Sequence, residues 1–248
     1  MVSTFLGGAN QSVKDGKGED AELTSPEFLE KDTEGNFYFV DGGGRNIIRK
    51  ITPSGIVSTL AGDLNDNTNK NGTGTNATFT TIRDLKLDAQ NNIYVLVQNQ
   101  GSGFTNSFIR KITPSLVVTN YHKIVNRFVT TFDLASDGSV FYSNSGSIIK
   151  SVADTSGTAT ETFVYSGLNS TKDSWNGWYT NFMRLGKDGQ LYVDLGGSFE
   201  KHNIIKFTST PATNGGNPVS PLFLTSNLTT NNNARVEELR FTITEFVK

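Results

Sequence analysis

Apolar residues come in short runs rich in β-branched and aromatic side chains, such as Phe37-Tyr38-Phe39-Val40 and Ile93-Tyr94-Val95-Leu96-Val97. Gly, Asn, Ser and Asp separate them. Runs of this length bounded by turn formers predict strands joined by tight turns. No stretch sustains an apolar period of 3.6 residues, so long helices are not expected.

The pattern repeats. Ile48-Arg49-Lys50-Ile51-Thr52-Pro53-Ser54 recurs unchanged as Ile109-Arg110-Lys111-Ile112-Thr113-Pro114-Ser115. Val2-Ser3-Thr4-Phe5 matches Val57-Ser58-Thr59-Leu60, and Asp15-Gly16-Lys17-Gly18 matches Asn71-Gly72-Thr73-Gly74. A looser motif, a polar turn followed by a strand with an aromatic anchor, occurs four times: Gly35-Asn36-Phe37-Tyr38, Asn91-Asn92-Ile93-Tyr94, Gly138-Ser139-Val140-Phe141 and Gly189-Gln190-Leu191-Tyr192. The anchors are 56, 47 and 51 residues apart, a spacing that suits one four-stranded blade per repeat.

Each repeat divides into four strands, innermost first. The first gives Phe28–Lys31, Asn36–Asp41, Asn46–Ile51 and Ile56–Ala61; the second, Ile82–Asp88, Asn92–Gln98, Phe108–Thr113 and Leu116–Tyr121. The third gives Thr131–Ala135, Ser139–Ser143, Ser147–Val152 and Ala159–Tyr165; the fourth, Phe182–Gly186, Gln190–Leu195, Asn203–Phe207 and Leu222–Thr225. The third strand, with Arg-Lys between apolar residues, reads as half exposed. Val2–Leu6 resembles an outermost strand with no blade before it, and Arg235–Thr242 aligns with the innermost strand Thr81–Asp88. Pairing the two ends in one sheet would close a ring and remove its open edges. The expectation is an all-β chain, residues 1–248 forming a single β-propeller domain of four-stranded antiparallel blades, five in number with the last shared between the N- and C-termini. A six-bladed ring or an incomplete fragment is the alternative.

The order of these pieces resembles the NHL-repeat family, and in particular the secreted or surface NHL proteins of Bacteroidetes-type bacteria. Residues 2–115 carry the likeness: Val57-Ser58-Thr59-Leu60-Ala61-Gly62, the Asn71-Gly72-Thr73-Gly74 loop, the Gly35-Asn36-Phe37-Tyr38-Phe39-Val40 strand and the Ile-Arg-Lys-Ile strand. Residues 116–248 match only in their second and third strands, such as Gly189–Asp194 and Asn203–Phe207. The resemblance implies a propeller scaffold. Such propellers include protein-binding and RNA-binding modules and a few lyases, and the fold does not choose among them.

Composition narrows the field. The 248 residues hold 25 glycines and no cysteine, with a net charge of −2. Without cysteine there is no disulfide, thiolate nucleophile or zinc–sulfur site. No basic block is present to neutralise phosphates, which argues against nucleic acid as a partner. No apolar run is long enough to span a membrane, and Met1–Leu6 is too short for a signal peptide. The absence of cysteine fits the cytosol and equally an extracytoplasmic protein, secreted, periplasmic or at the cell surface; abundant Asn, Thr and Ser favours the latter.

Five groups are candidates for chemistry. The turns after the second strands, with Asp41, Arg45 and Asp194, lie where propeller loops converge, though such an Asp also serves to bind backbone N–H groups. Trp175-Asn176-Gly177-Trp178-Tyr179 holds both tryptophans of the chain and suits stacking on a sugar or gripping a protein, or filling the core between blades. Asn67–Gly72 has the spacing of the start of a calcium loop but lacks its carboxylates. His122 and His202 read as surface residues. Glu27, Arg83, Asp84, Thr130, Asp133, Arg184 and Glu238 are inner-strand polar residues that would line or flank a central channel, for a ligand or for inter-blade ion pairs. No nucleophile motif or phosphate loop is present, and no cofactor or metal site is implied. The leading expectation is a non-enzymatic binding or scaffold module for a protein or carbohydrate. A metal-assisted hydrolase or lyase with its site in the channel is the alternative.

Overall fold

The computed structural model describes residues 5–8, 10–44, 46–98, 106–125, 127, 129–144, 147–166, 179–186, 188–196, 202–207 and 222–223. Among them are four antiparallel sheets and two 3-10 turns, Gly18–Asp20 and Gly74–Asn76. The first sheet contains β1 (Gly16–Lys17), β2 (Glu27–Lys31), β3 (Phe37–Asp41), β4 (Ile47–Ile51) and β5 (Ile56–Ala61). The second contains β6 (Gly72–Thr73), β7 (Ile82–Leu87), β8 (Ile93–Gln98), β9 (Ser107–Ile112) and β10 (Val117–Ile124). β11 (Phe132–Leu134), β12 (Val140–Asn144), β13 (Ser147–Ser151) and β14 (Glu161–Ser166) make the third; β15 (Tyr179–Leu185), β16 (Leu191–Gly196), β17 (His202–Phe207) and β18 (Leu222–Phe223) make the fourth. In each sheet the four longer strands pair in sequence order, and in the first two the short β1 or β6 adds a fifth strand outside β5 or β10. That addition, built from the two Gly-x-Gly loops, was not expected from the sequence. Of the two ends expected to share a blade, residues 1–4 and 235–242 lie outside the described residues.

The hairpin between the first and second long strands explains the recurring motif. Asp32 accepts the backbone N–H of Glu34 and Asn36, the Asn36 amide and the Tyr38 hydroxyl, at 2.9, 2.8, 2.8 and 3.1 Å. Asp88 repeats the set with Gln90, Asn92 and Tyr94. The reversal needs a left-handed residue, and Gly35, Asn91, Gly138 and Gly189 supply it with φ of 89°, 58°, 81° and 71°.

The core lies between sheets. β8 is buried on both faces. Ile93, Val95 and Val97 pack with Tyr38, Val40 and Ile48 of the first sheet, while Tyr94 and Leu96 pack with Phe132, Val140 and Tyr142 of the third. Alternation along one strand therefore ties three sheets together, each buried apolar side chain contributing about 1.5–3 kcal/mol relative to exposure. Leu85, Phe132 and Met183 are buried at one register of β7, β11 and β15, whereas Leu29 at the same register of β2 is 61% exposed. On the other face of the first sheet, Phe39, Ile51 and Val57 form a small buried cluster with Ala21, against which Leu6, Leu23 and Phe37 pack.

The repeated Ile-Arg-Lys-Ile strand corrects one expectation. Its arginine is not half exposed: Arg49 and Arg110 are fully buried. Arg49 donates to the carbonyls of Lys14 and Glu22 and to the carboxylates of Asp15 and Asp41, at 2.7–3.0 Å. Arg110 donates to the carbonyls of Lys70 and Thr78 and to Asn71 Oδ1, at 2.7, 2.6 and 2.9 Å. In each case a guanidinium supplies the donors that loop carbonyls would lack, pinning β1 or β6 to the sheet. The segment Asn67–Gly72 is therefore held by an arginine of the chain itself.

Candidate functional site in the channel

The innermost strands β2, β7, β11 and β15 follow one another, β2 in contact with β7, β7 with β11 and β11 with β15. The residue opposite each aromatic anchor marks one position on all four: Glu30 faces Tyr38, Lys86 faces Tyr94, Asp133 faces Phe141 and Arg184 faces Tyr192. Charge alternates around this ring, acid, base, acid, base. Glu30 Oε2 receives a hydrogen bond from Arg184 at 2.6 Å, although 154 residues separate them. Glu30 Oε1 lies 3.9 Å from Lys86 Nζ, which also donates to Asp84 at 2.6 Å. Asp84 reaches the third sheet, accepting the Thr131 hydroxyl at 2.7 Å and the Phe132 N–H at 3.2 Å. Asp133 accepts the N–H of Leu134 on its own strand and of Leu185 on the fourth sheet. Contacts thus run from the first sheet to the second, third and fourth and back to the first.

The sheets are blades of a β-propeller. Solved structures similar to this chain include a virginiamycin B lyase from Staphylococcus aureus, at 14% identity and TM-score 0.44, covering 74% of this chain and 55% of that one. A protein from Lactobacillus plantarum is similar at 16% identity and TM-score 0.49, covering 77% and 55%. PorZ, a surface component of the type-IX secretion system of Porphyromonas gingivalis, is similar at 15% identity and TM-score 0.45, covering 81% and 28%. The chain spans about half the length of the first two. No protein-family model matches the chain, and no curated protein matches it.

Burial sets the electrostatics of the ring. Burial is the strongest influence on Asp133 and raises its pKa against the opposing pull of Arg184, Lys86 and two backbone N–H groups. Burial alone would weaken the charge on Arg184, but the hydrogen bond and charge of Glu30, with Asp133 and Asp84 behind it, raise its pKa. Among the described residues, no three His, Asp or Glu side chains gather where they would hold a metal ion, and no helix is long and apolar enough to cross a membrane.

Asp84, Asp133 and Arg184, read from the sequence as inner-strand polar residues, meet in this ring. Glu30 and Lys86 were missed, although standing opposite a recurring aromatic anchor is a signal that finds both. Asp41 is fully buried and accepts the N–H groups of Thr24 and Ser25 at 3.0 and 2.8 Å and Arg49 at 2.8 Å. Asp194 lies in β16 two residues past Tyr192, one register position short of the place that Asp41 takes after Tyr38. Tyr179 opens β15 and pairs with Gly196. Arg45, Trp175 and Trp178 lie outside the described residues. His122 is not at the surface: it is 1% exposed, because β10 continues past Tyr121 and a register shift between Asn120 and His122 turns it inward. Its Nδ1 accepts the Asp154 N–H at 3.0 Å, and burial lowers its pKa.

Proposed function

We propose that this chain is a binding or scaffold module of NHL-repeat type, which presents one face of its propeller to a protein or a glycan outside the bacterial cytoplasm. The observation that carries the reading is the use made of the channel charges. Glu30 holds Arg184 and Asp84 holds Lys86, so these side chains brace the blades, and recognition falls to the surrounding loops. The segment Trp175–Tyr179 carries both tryptophans and leads into the innermost strand of the fourth blade. Aromatic side chains of this kind anchor sugars and protein partners. In the sequence Arg45 follows the second strand of the first blade, Asp194 lies near the end of the second strand β16, and Asp41, at the end of β3, holds the segment that leads into β2 through the N–H groups of Thr24 and Ser25 and accepts Arg49.

The test is a glycan array and an affinity capture from the native surface fraction, run with the parent protein and with Trp178→Ala. The reading expects the captured glycan or protein to bind the variant at least about tenfold more weakly, the loss of one anchor of about 1.4 kcal/mol or more, with the melting temperature unchanged. Undiminished binding by Trp178→Ala and by Trp175→Ala would remove this segment as the site. A second reading, a hydrolase or lyase acting in the channel, draws on the raised pKa of the buried Asp133, a property that acid–base groups share. Turnover lost in Asp133→Asn would favour it.

A further inference from the structure

Within the channel cluster, three carboxylates, Glu30, Asp84 and Asp133, meet two cations, Lys86 and Arg184. The cations are claimed by the other two carboxylates: Arg184 stands 2.6 Å from Glu30, and Lys86 stands 2.6 Å from Asp84. Asp133 is left with the backbone N–H groups of Leu134 and Leu185. The cluster as described is one positive charge short, in a place where burying an unbalanced carboxylate costs several kcal/mol. We propose that Asp133 carries a proton as the balancing charge of the ring, making the junction of the third and fourth blades responsive to pH.

Among the described residues, the charged groups around Asp133 fit that role. Arg184 on β15 and Lys86 on β7 attract its anionic form, while Glu30 on β2 and Asp84 on β7 hold those same cations. Burial outweighs the attraction and raises its pKa above the ordinary aspartate value. Proton loss on alkalinisation leaves the ring with surplus negative charge at the point where β11 is joined to β15 through the Leu185 N–H. An acid whose pKa is raised on folding contributes stability that is present at low pH and lost as pH rises from the unfolded value, about 3.9, through the folded one.

Isotope-edited infrared spectroscopy of the intact chain labelled at aspartate tests the proposal. A protonated carboxyl band should persist at pH 6, where exposed aspartates are ionised, and should be lost in Asp133→Asn. The melting temperature of Asp133→Asn should gain on that of the parent as pH rises from 5 to 8. Absence of the band in the parent, or its survival in Asp133→Asn, overturns the proposal. So does a band that appears only in Arg240→Gln, since Arg240, which aligns with Lys86 in the sequence, would then be the balancing cation. Each readout is independent of ligand binding at Trp178, so failure here and failure of the binding reading remain distinguishable.

Discussion

Asn71→Asp should stabilise the protein. Arg49 and Arg110 occupy the same position in two copies of one repeat, but only Arg49 has carboxylate partners, Asp15 and Asp41. In the second copy Asn71 stands for Asp15 and Val97 for Asp41. Arg110 is equally buried and has only amide and carbonyl acceptors, with the Phe79 ring 4.8 Å from its guanidinium carbon. Burial pulls its pKa down to about 10. That is roughly two and a half powers of ten below an ordinary arginine, or about 3 kcal/mol of uncompensated cost. Aspartate at 71 is nearly isosteric and would place an anionic oxygen where Asn71 Oδ1 now stands, 2.9 Å from Arg110 Nη2. Asn71 is exposed, so the new carboxylate loses little hydration. A return of about 1–2 kcal/mol is expected, since a hydrogen bond between two charged groups is worth more than one to a neutral acceptor. In a domain of this size that raises the melting temperature by about 2–8 °C. Calorimetry at pH 7 is the assay. The introduced carboxylate has a depressed folded pKa, so its gain is present above the unfolded value of about 3.9 and lost as pH falls below it. An unchanged or lower melting temperature at pH 7, or a gain undiminished at pH 3, would refute this reasoning.

Two further outcomes rest on the turns. Asp32→Ala strands the N–H groups of Glu34 and Asn36 and should cost about 2 kcal/mol in urea denaturation at pH 7. Burial opposes ionisation of Asp32, but its four donors outweigh it and lower the pKa; the difference between parent and variant should therefore shrink as pH falls below about 4. Gly62→Ala should cost about 2–3 kcal/mol in the same assay. Its φ is 99°, and a methyl group there would run into the Asn46 carbonyl oxygen and stand 2.8 Å from Ile47 Cα.

What the sequence disclosed depended on whether a feature is local. The anchors Tyr38, Tyr94, Phe141 and Tyr192 announced their hairpins because the turn chemistry lies within a few residues. Asp84, Asp133 and Arg184 were legible as inner-strand polar residues for the same reason. The burial of Arg49 and Arg110 was not, because their acceptors are mostly backbone carbonyls 27–40 residues away, and a carbonyl has no sequence signature. Glu30 was lost to the register shift between Glu27 and Glu30, which breaks the alternation that would place it beside Lys86. His122 was read as exposed because a bulge reverses facing without changing composition.

The charge ring that joins the first blade to the fourth is most directly tested by a double-mutant cycle at Glu30 and Arg184, using Glu30→Gln, Arg184→Gln and the double variant. Direct contact at 2.6 Å predicts a coupling free energy of about 1–3 kcal/mol in denaturant unfolding. Additive effects, within about 0.3 kcal/mol, would contradict the closure of the ring.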